Sequence, residues 1–448
     1  MPSLKTFSRG GVHPPECKIS AKMNIEVLHV PQKVSIPISQ HLGAPSTPLV
    51  KRGDMVKVGT PVAKTSGFIS ANIHSSVSGK VANIAEVVDT SGYPRKAVVI
   101  DVDGDEWEES IDRGSDLKKD ISLSRDEIVQ KVLESGVVGL GGATFPTHVK
   151  LMVPQGKKAE ILIINGVECE PYLTSDHRLM LERGEELMVG IHIIMIALES
   201  DKAIIGIEAN KPDAIKYLTG LAKDYPGVSV QTLKVKYPQG GEKQLIKAIT
   251  GREVPNKGGL PIDVGTVVHN VGTVLAIYEA VQKNRPLVER VVTITGKSVK
   301  KPGNYMVRIG TPVQDLVEAA GGIPENSGKI ISGGPMMGKT LTNLDVPVVK
   351  GTSGILIIPL DESKRKVEGN CIRCGKCVSV CPLGVEPHLL YALSKRGDWE
   401  RAEKEDVMNC CECGSCQYTC PAHLPLLDYL RVGKAEVGKQ IRARHNKK

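Results

Sequence analysis

Aromatic side chains are scarce: phenylalanine, tryptophan and tyrosine together make up 3% of the 448 residues. The cores must therefore be filled by Val, Ile, Leu and Ala, which suits α/β layers and small barrels. A base-stacking platform for nucleic acid has almost nothing to be built from, so no nucleic-acid partner is expected. Long apolar runs are lacking as well. The most apolar window, Leu187 to Leu198, contains His192 and is about a dozen residues long, short of the roughly 20 that a spanning helix needs. It reads as a buried helix. Met1 to Gly10 holds no apolar segment of the signal-peptide kind, so any membrane association is expected to come through partner subunits. Scattered cysteines of a disulfide framework are missing too: eight of the eleven fall into two spaced runs between Cys371 and Cys420. Clustered thiolates of this kind read as metal ligands in a reducing compartment, either cytoplasmic or facing the cytoplasm.

What is present divides into regions. Residues 1–115 alternate short β-type runs with glycine and proline, the strongest being Ile25–Val30, Lys33–Ile38, Met55–Val58, Lys80–Ile84 and Ala97–Val102. Residues 120–285 open on Ser124-Arg125-Asp126-Glu127, an N-cap with acidic first-turn residues. Buried-type strands at Ile161–Ile164 and Ala203–Ile207 then alternate with the helical stretches Glu185–Leu198 and Pro212–Lys223. A smaller unit, 288–342, shows a strand at Val291–Thr295, a helix at Val313–Ala319 and a strand at Lys329–Ser332. Residues 343–365 read as a linker, 366–435 as a cysteine domain, and 436–448 as a basic tail with Arg442, Arg444, Lys447 and Lys448. Such a tail is expected to be a solvated end, the sharper alternative being a contact for an acidic partner or an anionic membrane. The net charge of +8 is partly this tail.

The cysteine domain carries the most specific signal. Cys371, Cys374, Cys377 and Cys381-Pro382 form one run; Cys410, Cys413, Cys416 and Cys420-Pro421 repeat it. Three thiolates at i, i+3 and i+6 wrap one [4Fe–4S] cubane, and the fourth, before proline, reaches the other cluster. Cluster one then takes Cys371, Cys374, Cys377 and Cys420; cluster two takes Cys410, Cys413, Cys416 and Cys381. Structural zinc uses paired knuckles instead of this doubled run. Cys17 and Cys411 need no role beyond filling space.

Two clusters define a wire, and its feed lies upstream. The run Gly139-Leu140-Gly141-Gly142-Ala143-Thr144-Phe145 leads to Lys150; glycine turns before a helix let backbone N–H groups close on phosphate, and lysine adds charge. Asn165-Gly166-Val167-Glu168-Cys169-Glu170 follows a strand, so its polar groups emerge where α/β domains bind ligands. Tyr237 to Lys243 and His269 to Thr273 complete the set.

These four segments resemble the flavin- and NADH-binding subunit of respiratory complex I over about 120 to 345, including a ubiquitin-like β-grasp module of the soluble-ligand-binding (SLBB) type. The resemblance implies that Gly139, Gly141, Gly142, Lys150, Asn165 and Asn270 hold non-covalent FMN and that Thr273 completes its pocket. Phe145, Glu170 and Glu242 would contact NADH. Val167 and Gly241 stand where that family has acidic residues, and Phe145 is what remains of its adenine cage; for Glu168 and Glu170 a solvated loop or a helix cap is the alternative. Gly53 to Val81 resembles a biotinyl/lipoyl barrel-sandwich domain, but its hairpin tip, Gly67-Phe68-Ile69-Ser70, has no lysine to acylate. That region is expected to be a docking surface, removable without loss of flavin or clusters. With Phe7 to Glu16, Asn165 to Arg178 and the domain order, the whole chain resembles the RnfC family of the Rnf electron-transport complex. The resemblance implies a multidomain α/β protein at the cytoplasmic face of the membrane. It would oxidise NADH and pass electrons through FMN and the clusters to membrane and peripheral subunits, reaching ferredoxin through another subunit. Ion movement would belong to the membrane partners. A cobalamin-reductase-type flavoprotein, or a relay subunit that does not bind nucleotide, are the open alternatives.

Overall fold

The computed structural model describes residues 4–256 and 258–445. Near the amino end, a four-stranded antiparallel sheet in the order Lys33–Pro37, Pro94–Val102, Gly79–Val88, Met55–Val56 faces a three-stranded one of Thr47–Pro48, Pro61–Lys64 and Ile73–His74. Val34, Ile36, Val62, Val77, Val81, Val98 and Ile100 fill the space between them, so this barrel sandwich has an all-aliphatic core.

The next region is a parallel sheet in the order Val228–Leu233, Ala203–Glu208, Ile161–Asn165, Thr266–Asn270. Helices Gly184–Leu198 and Val271–Lys283 pack on one face. They approach closely at Gly190, where a Cβ would lie 2.7 Å from the Val274 carbonyl oxygen. The apolar window is thus the buried helix its sequence indicated, with His192 on its exposed side. Among the described residues no helix is long and apolar enough to cross a membrane.

A six-stranded mixed sheet follows, in the order Ile25–Val27, Gly303–Arg308, Glu289–Thr295, Gly354–Pro359, Ser327–Ser332, Lys339–Thr340. It corrects two expectations. The run from Ile25 does not join the barrel: it pairs in parallel with Gly303–Arg308. Within 343–365, read as a linker, Gly354–Pro359 is an interior strand between Glu289–Thr295 and Ser327–Ser332. Its Ile355, Leu356 and Ile357 are buried, which is why the stretch cannot be a loose connection.

The carboxyl-terminal region is helical. Pro387–Arg396, Trp399–Lys404 and Leu426–His445 enclose Leu390, Ala402, Leu430 and Val437. The tail is corrected too: the last helix runs through it to His445, with Arg444 paired to Glu403 at 2.6 Å, while Lys447 and Lys448 lie outside the described residues.

Candidate functional site: a flavin loop beside two cysteine runs

The glycine loop follows helix Arg125–Glu134, whose N-cap Ser124 is bonded through its backbone N–H to the Glu127 carboxylate at 2.8 Å. The loop closes on itself: Gly139 N–H donates to the Phe145 carbonyl at 2.9 Å and Thr144 N–H to the Gly139 carbonyl at 3.1 Å. Leu140 N–H donates to Thr273 Oγ1 at 2.8 Å, tying the loop to helix Val271–Lys283. Gly141 lies against Asn270, whose Cβ a Cβ at Gly141 would meet at 3.2 Å; above Gly142, at φ +110°, the space is open. The backbone at Gly142 calls for glycine, and at Gly141 a side chain would crowd Asn270.

Asn270 ends its strand and caps the helix that follows. Its Oδ1 accepts from Gly272 N–H at 2.9 Å, and its Nδ2 donates to Asp176 at 2.6 Å. Asn165 is its register partner on the adjacent strand and donates to the Gly240 carbonyl at 2.8 Å. Lys150 Nζ reaches Glu242 at 2.8 Å and the Val268 carbonyl at 3.1 Å. So the two side chains that resemblance assigned to different ligands meet each other. The pair is partly exposed, at 30% and 41%, and worth little to the fold, which leaves both groups available to a ligand. The fold therefore brings Gly139, Gly141, Gly142, Phe145, Lys150, Asn165, Asn270, Thr273 and Glu242 to the carboxyl ends of the two strands. His269 Nε2 on the second of these strands, and Thr147 Oγ1 and His148 Nδ1 on the short helix after the glycine loop, are buried without hydrogen-bond partners among the described residues. An open glycine cradle with a lysine and unpaired polar atoms fits a flavin phosphate and ring.

Glu170 goes elsewhere. Its Oε1 accepts from Met336 and Met337 N–H at 2.7 and 3.0 Å, and burial pushes its carboxyl pKa up. Glu168 caps helix Ser175–Glu182 by accepting from Asp176 and His177 N–H at 2.8 and 3.1 Å. Sequence reasoning missed what holds this loop in place. Lys18 Nζ donates to the carbonyls of Glu168, Glu170 and Leu173 at 2.7, 2.9 and 2.6 Å, and buried Lys211 to that of Val167 at 2.7 Å. Desolvation raises the Asp176 carboxyl to about 7, with Glu168 adding to the rise.

The same loop touches the cysteines. Tyr237 Oη donates to the Cys413 carbonyl at 2.9 Å, and Cys169, Tyr237, Met336 and Cys413 share one small apolar cluster with Val12. Cys381, Cys410, Cys413 and Cys416 line one cavity, which brings the CP cysteine of the first run to the three loop thiols of the second. Backbone N–H groups of Leu383, Gly384 and Val385 point at the Cys381 sulfur, as suits a thiolate bound to a cluster. Burial raises the Cys377 pKa, and Cys420 lies near enough to add to the rise. Cys371 and Cys374 are exposed. Cys411, off register, sits beside Cys413.

A flavin-type α/β domain joined through shared loops to a doubled cubane motif defines a flavo-iron–sulfur electron-transfer protein. Known proteins agree on each part. Residues 132–279 match the family model of the Nuo51 FMN-binding domain, 6–105 the RnfC barrel sandwich hybrid domain, 291–340 the SLBB domain and 363–421 a 4Fe-4S dicluster domain. Among similar proteins, the C subunit of the proton-translocating ferredoxin:NAD(+) oxidoreductase complex of Clostridium ljungdahlii is 48% identical, covering 97% of this chain and 94% of that one. The C subunit of the Na(+)-translocating ferredoxin:NAD(+) oxidoreductase complex of Acetobacterium woodii is 47% identical, over 97% and 98%. Its counterpart in the ion-translocating oxidoreductase complex of Rhodobacter capsulatus is 43% identical, over 99% and 85%. A solved NAD+-reducing [NiFe]-hydrogenase aligns with 70% of this chain and 63% of that one, at 21% identity and a TM-score of 0.48. The chain belongs to the RnfC family of Rnf-type ion-translocating oxidoreductase complexes. It is an oxidoreductase subunit whose cofactors are FMN and two [4Fe–4S] clusters.

Proposed function

We propose that the chain takes electrons from NADH at the glycine-loop site and delivers them to the partner subunits of a membrane-bound Rnf complex, from a peripheral position on the cytoplasmic face. The observation that carries this reading is the convergence of the glycine loop, Lys150, Asn165 and Asn270 at the ends of two parallel strands, with the cysteine runs packed against the neighbouring loop. FMN, when bound, converts the electron pair of a hydride into single electrons that the clusters can carry. The chain's own part is positional. Gly141 and Gly142 would let the backbone approach the phosphate, Lys150 would neutralise it, and Asn270, fixed by Asp176, would lie beside the ring. Phe145 and Glu242 sit at the mouth, where a nicotinamide nucleotide would enter. Cys371, Cys374, Cys377 and Cys420 would hold one cluster, and Cys410, Cys413, Cys416 and Cys381 the other.

A relay that binds no nucleotide is the second reading, and one observation favours it: the Glu170 carboxylate is already engaged by two backbone N–H groups. Titrating the purified, cluster-loaded flavoprotein with NADH separates the two. Bleaching of the flavin is the expected result. Glu242→Gln should weaken that bleaching and leave flavin content unchanged, because Lys150 keeps the Val268 carbonyl. A wild-type chain with full FMN that NADH does not bleach makes the relay reading correct.

A further inference from the structure

The two cysteine runs are internal repeats, so equivalent positions can be compared directly, and their surroundings differ. In the second run Cys413 and Cys416 are buried, and a Cβ on Gly414 would lie 2.7 Å from the Met336 carbonyl oxygen. Glu412 pairs with Lys434 at 2.9 Å and Arg431 at 3.3 Å. Tyr237 holds the Cys413 carbonyl. Cys381, which the first run lends to this set, is pressed by the amino-terminal segment: Gly11 N–H donates to the Val380 carbonyl at 2.8 Å, and a Cβ on Gly10 would sit 2.6 Å from the Cys381 carbonyl. In the first run Cys371 and Cys374 are exposed, and a Cβ on Gly375 would meet nothing within 4 Å. Arg373, the counterpart of Glu412, makes no ion pair among the described residues.

Around that open loop the chain is basic and apolar. Between Lys364 and Lys376 stand five cationic side chains and one carboxylate, Glu368, which is already held by Tyr391 at 2.6 Å and Lys395 at 3.1 Å. Lys364, Lys366 and Lys376 have no ion-pair partner among the described residues. Val367 and Ile372 are 90% and 68% exposed. Arg365 is paired with Asp428; the three unpaired lysines, interspersed along the same stretch with exposed aliphatics, suit an oppositely charged protein.

We propose that the cluster on Cys371, Cys374, Cys377 and Cys420 is the exit of the chain, and that the Lys364–Lys376 rim docks an acidic redox protein over it. The cluster on Cys410, Cys413, Cys416 and Cys381, of which Cys413 packs against Cys169 and Tyr237 on the side of the nucleotide-type domain, is then the entry. This deepens the function proposed above and rests on its ligand sets. One electron at a time passes from entry to exit cluster and on to the partner's oxidised centre, with no bond made or broken.

The docking arm needs no NADH. The cluster-loaded full chain is immobilised and titrated with an acidic two-cluster ferredoxin as probe, at low and moderate salt. Lys366→Glu with Lys376→Glu should raise Kd at least tenfold at low salt and flatten its salt dependence, with the electron paramagnetic resonance of both clusters unchanged. Lys51→Glu with Lys80→Glu on the barrel should leave Kd as it was. A Kd that ignores the rim, or responds equally to the barrel, overturns the docking claim. For the order, Cys374→Ser should leave the remaining cluster reducible by NADH, whereas Cys413→Ser should leave the remaining cluster oxidised although the flavin is bleached. The reverse pattern overturns the order, while a flavin that NADH never bleaches counts against the function and leaves the docking arm standing.

Discussion

At the scale of single residues, the site is governed by charges held away from water. Asp176 shows the consequence. Its folded pKa, raised to about 7, lies above the unfolded value, so its contribution to stability is complete below about pH 3.9. That contribution is lost as pH rises through 7, where the native state must accept a buried anion. Asp176→Asn keeps an acceptor for the Asn270 amide without the ionisation. The unfolding midpoint of the parent chain should therefore fall relative to the variant between about pH 4 and pH 7 and run level with it above that; parallel curves across the range would mean Asp176 is not the titrating group. Neither Asp176 nor Lys18 stands out in the sequence, because a buried charge is recognisable only by the groups the fold gathers around it. The cysteines stand out because the loop that binds a cubane is local, with every ligand but one within seven residues of the next. Glu170 lies between these cases: its motif was legible, but its partners, the Met336 and Met337 amides, come from another sheet.

Among the elements, the segment after strand Ile161–Asn165 is the one that function depends on and the one least able to support itself. It is irregular, and the carbonyls of Glu168, Glu170 and Leu173 turn to a single ammonium, that of Lys18. Buried carbonyls without partners cost far more than a hydrogen bond gains. Lys18→Met should destabilise the fold by about 3 kcal/mol, the toll of leaving buried carbonyls without a donor, as measured by urea unfolding. A loss under about 1 kcal/mol would mean water replaces the ammonium. Strands and helices with their own period were legible: Val313–Ala319 is found where its pattern put it. Gly354–Pro359 was not, although Gly-Ile-Leu-Ile-Ile-Pro has the form of a buried strand, because its parallel partner lies some sixty residues earlier and its length alone suited a connection. The last helix was hidden in the same way, since its basic surface reads as a tail until Val437 is seen in the core.

For the whole molecule, residues 4–28 are the strap that ties the regions together, which argues against the expectation that residues 1–115 can be removed with flavin and clusters left largely intact. Lys234 N–H donates to the Lys5 carbonyl at 2.9 Å beside the parallel sheet, and Phe7 is buried under Lys236, whose Nζ lies 4.1 Å from the ring centre. Gly10 and Gly11 pass over the Val380–Cys381 carbonyls, Lys18 holds the flavin-side loop, and Ile25–Val27 becomes an edge strand of the six-stranded sheet. The barrel adds further ties: Lys350, fully buried, donates to the Asn72 and Gly136 carbonyls at 2.8 and 2.7 Å, and Arg308 reaches the Ser76 carbonyl at 3.0 Å. Phe7 to Glu16 is also the stretch whose residues pointed to the family, and its contacts explain why those residue types stand there: glycines where the chain crosses a cluster loop, an aromatic where it enters the core. Truncation of residues 1–28 should therefore lower both iron and flavin per chain, iron because the surroundings of Cys381 open, flavin because the loop of Glu168 to Leu173 loses its ammonium. Truncation of 1–115 should do at least as much. The measurement is iron, sulfide and flavin analysis of the purified chains against the parent, for which two cubanes require about eight iron and eight sulfide. A chain lacking residues 1–28 that keeps eight iron and one flavin would show that the strap only covers the cofactor sites, and that the loops beneath it are held by their own contacts.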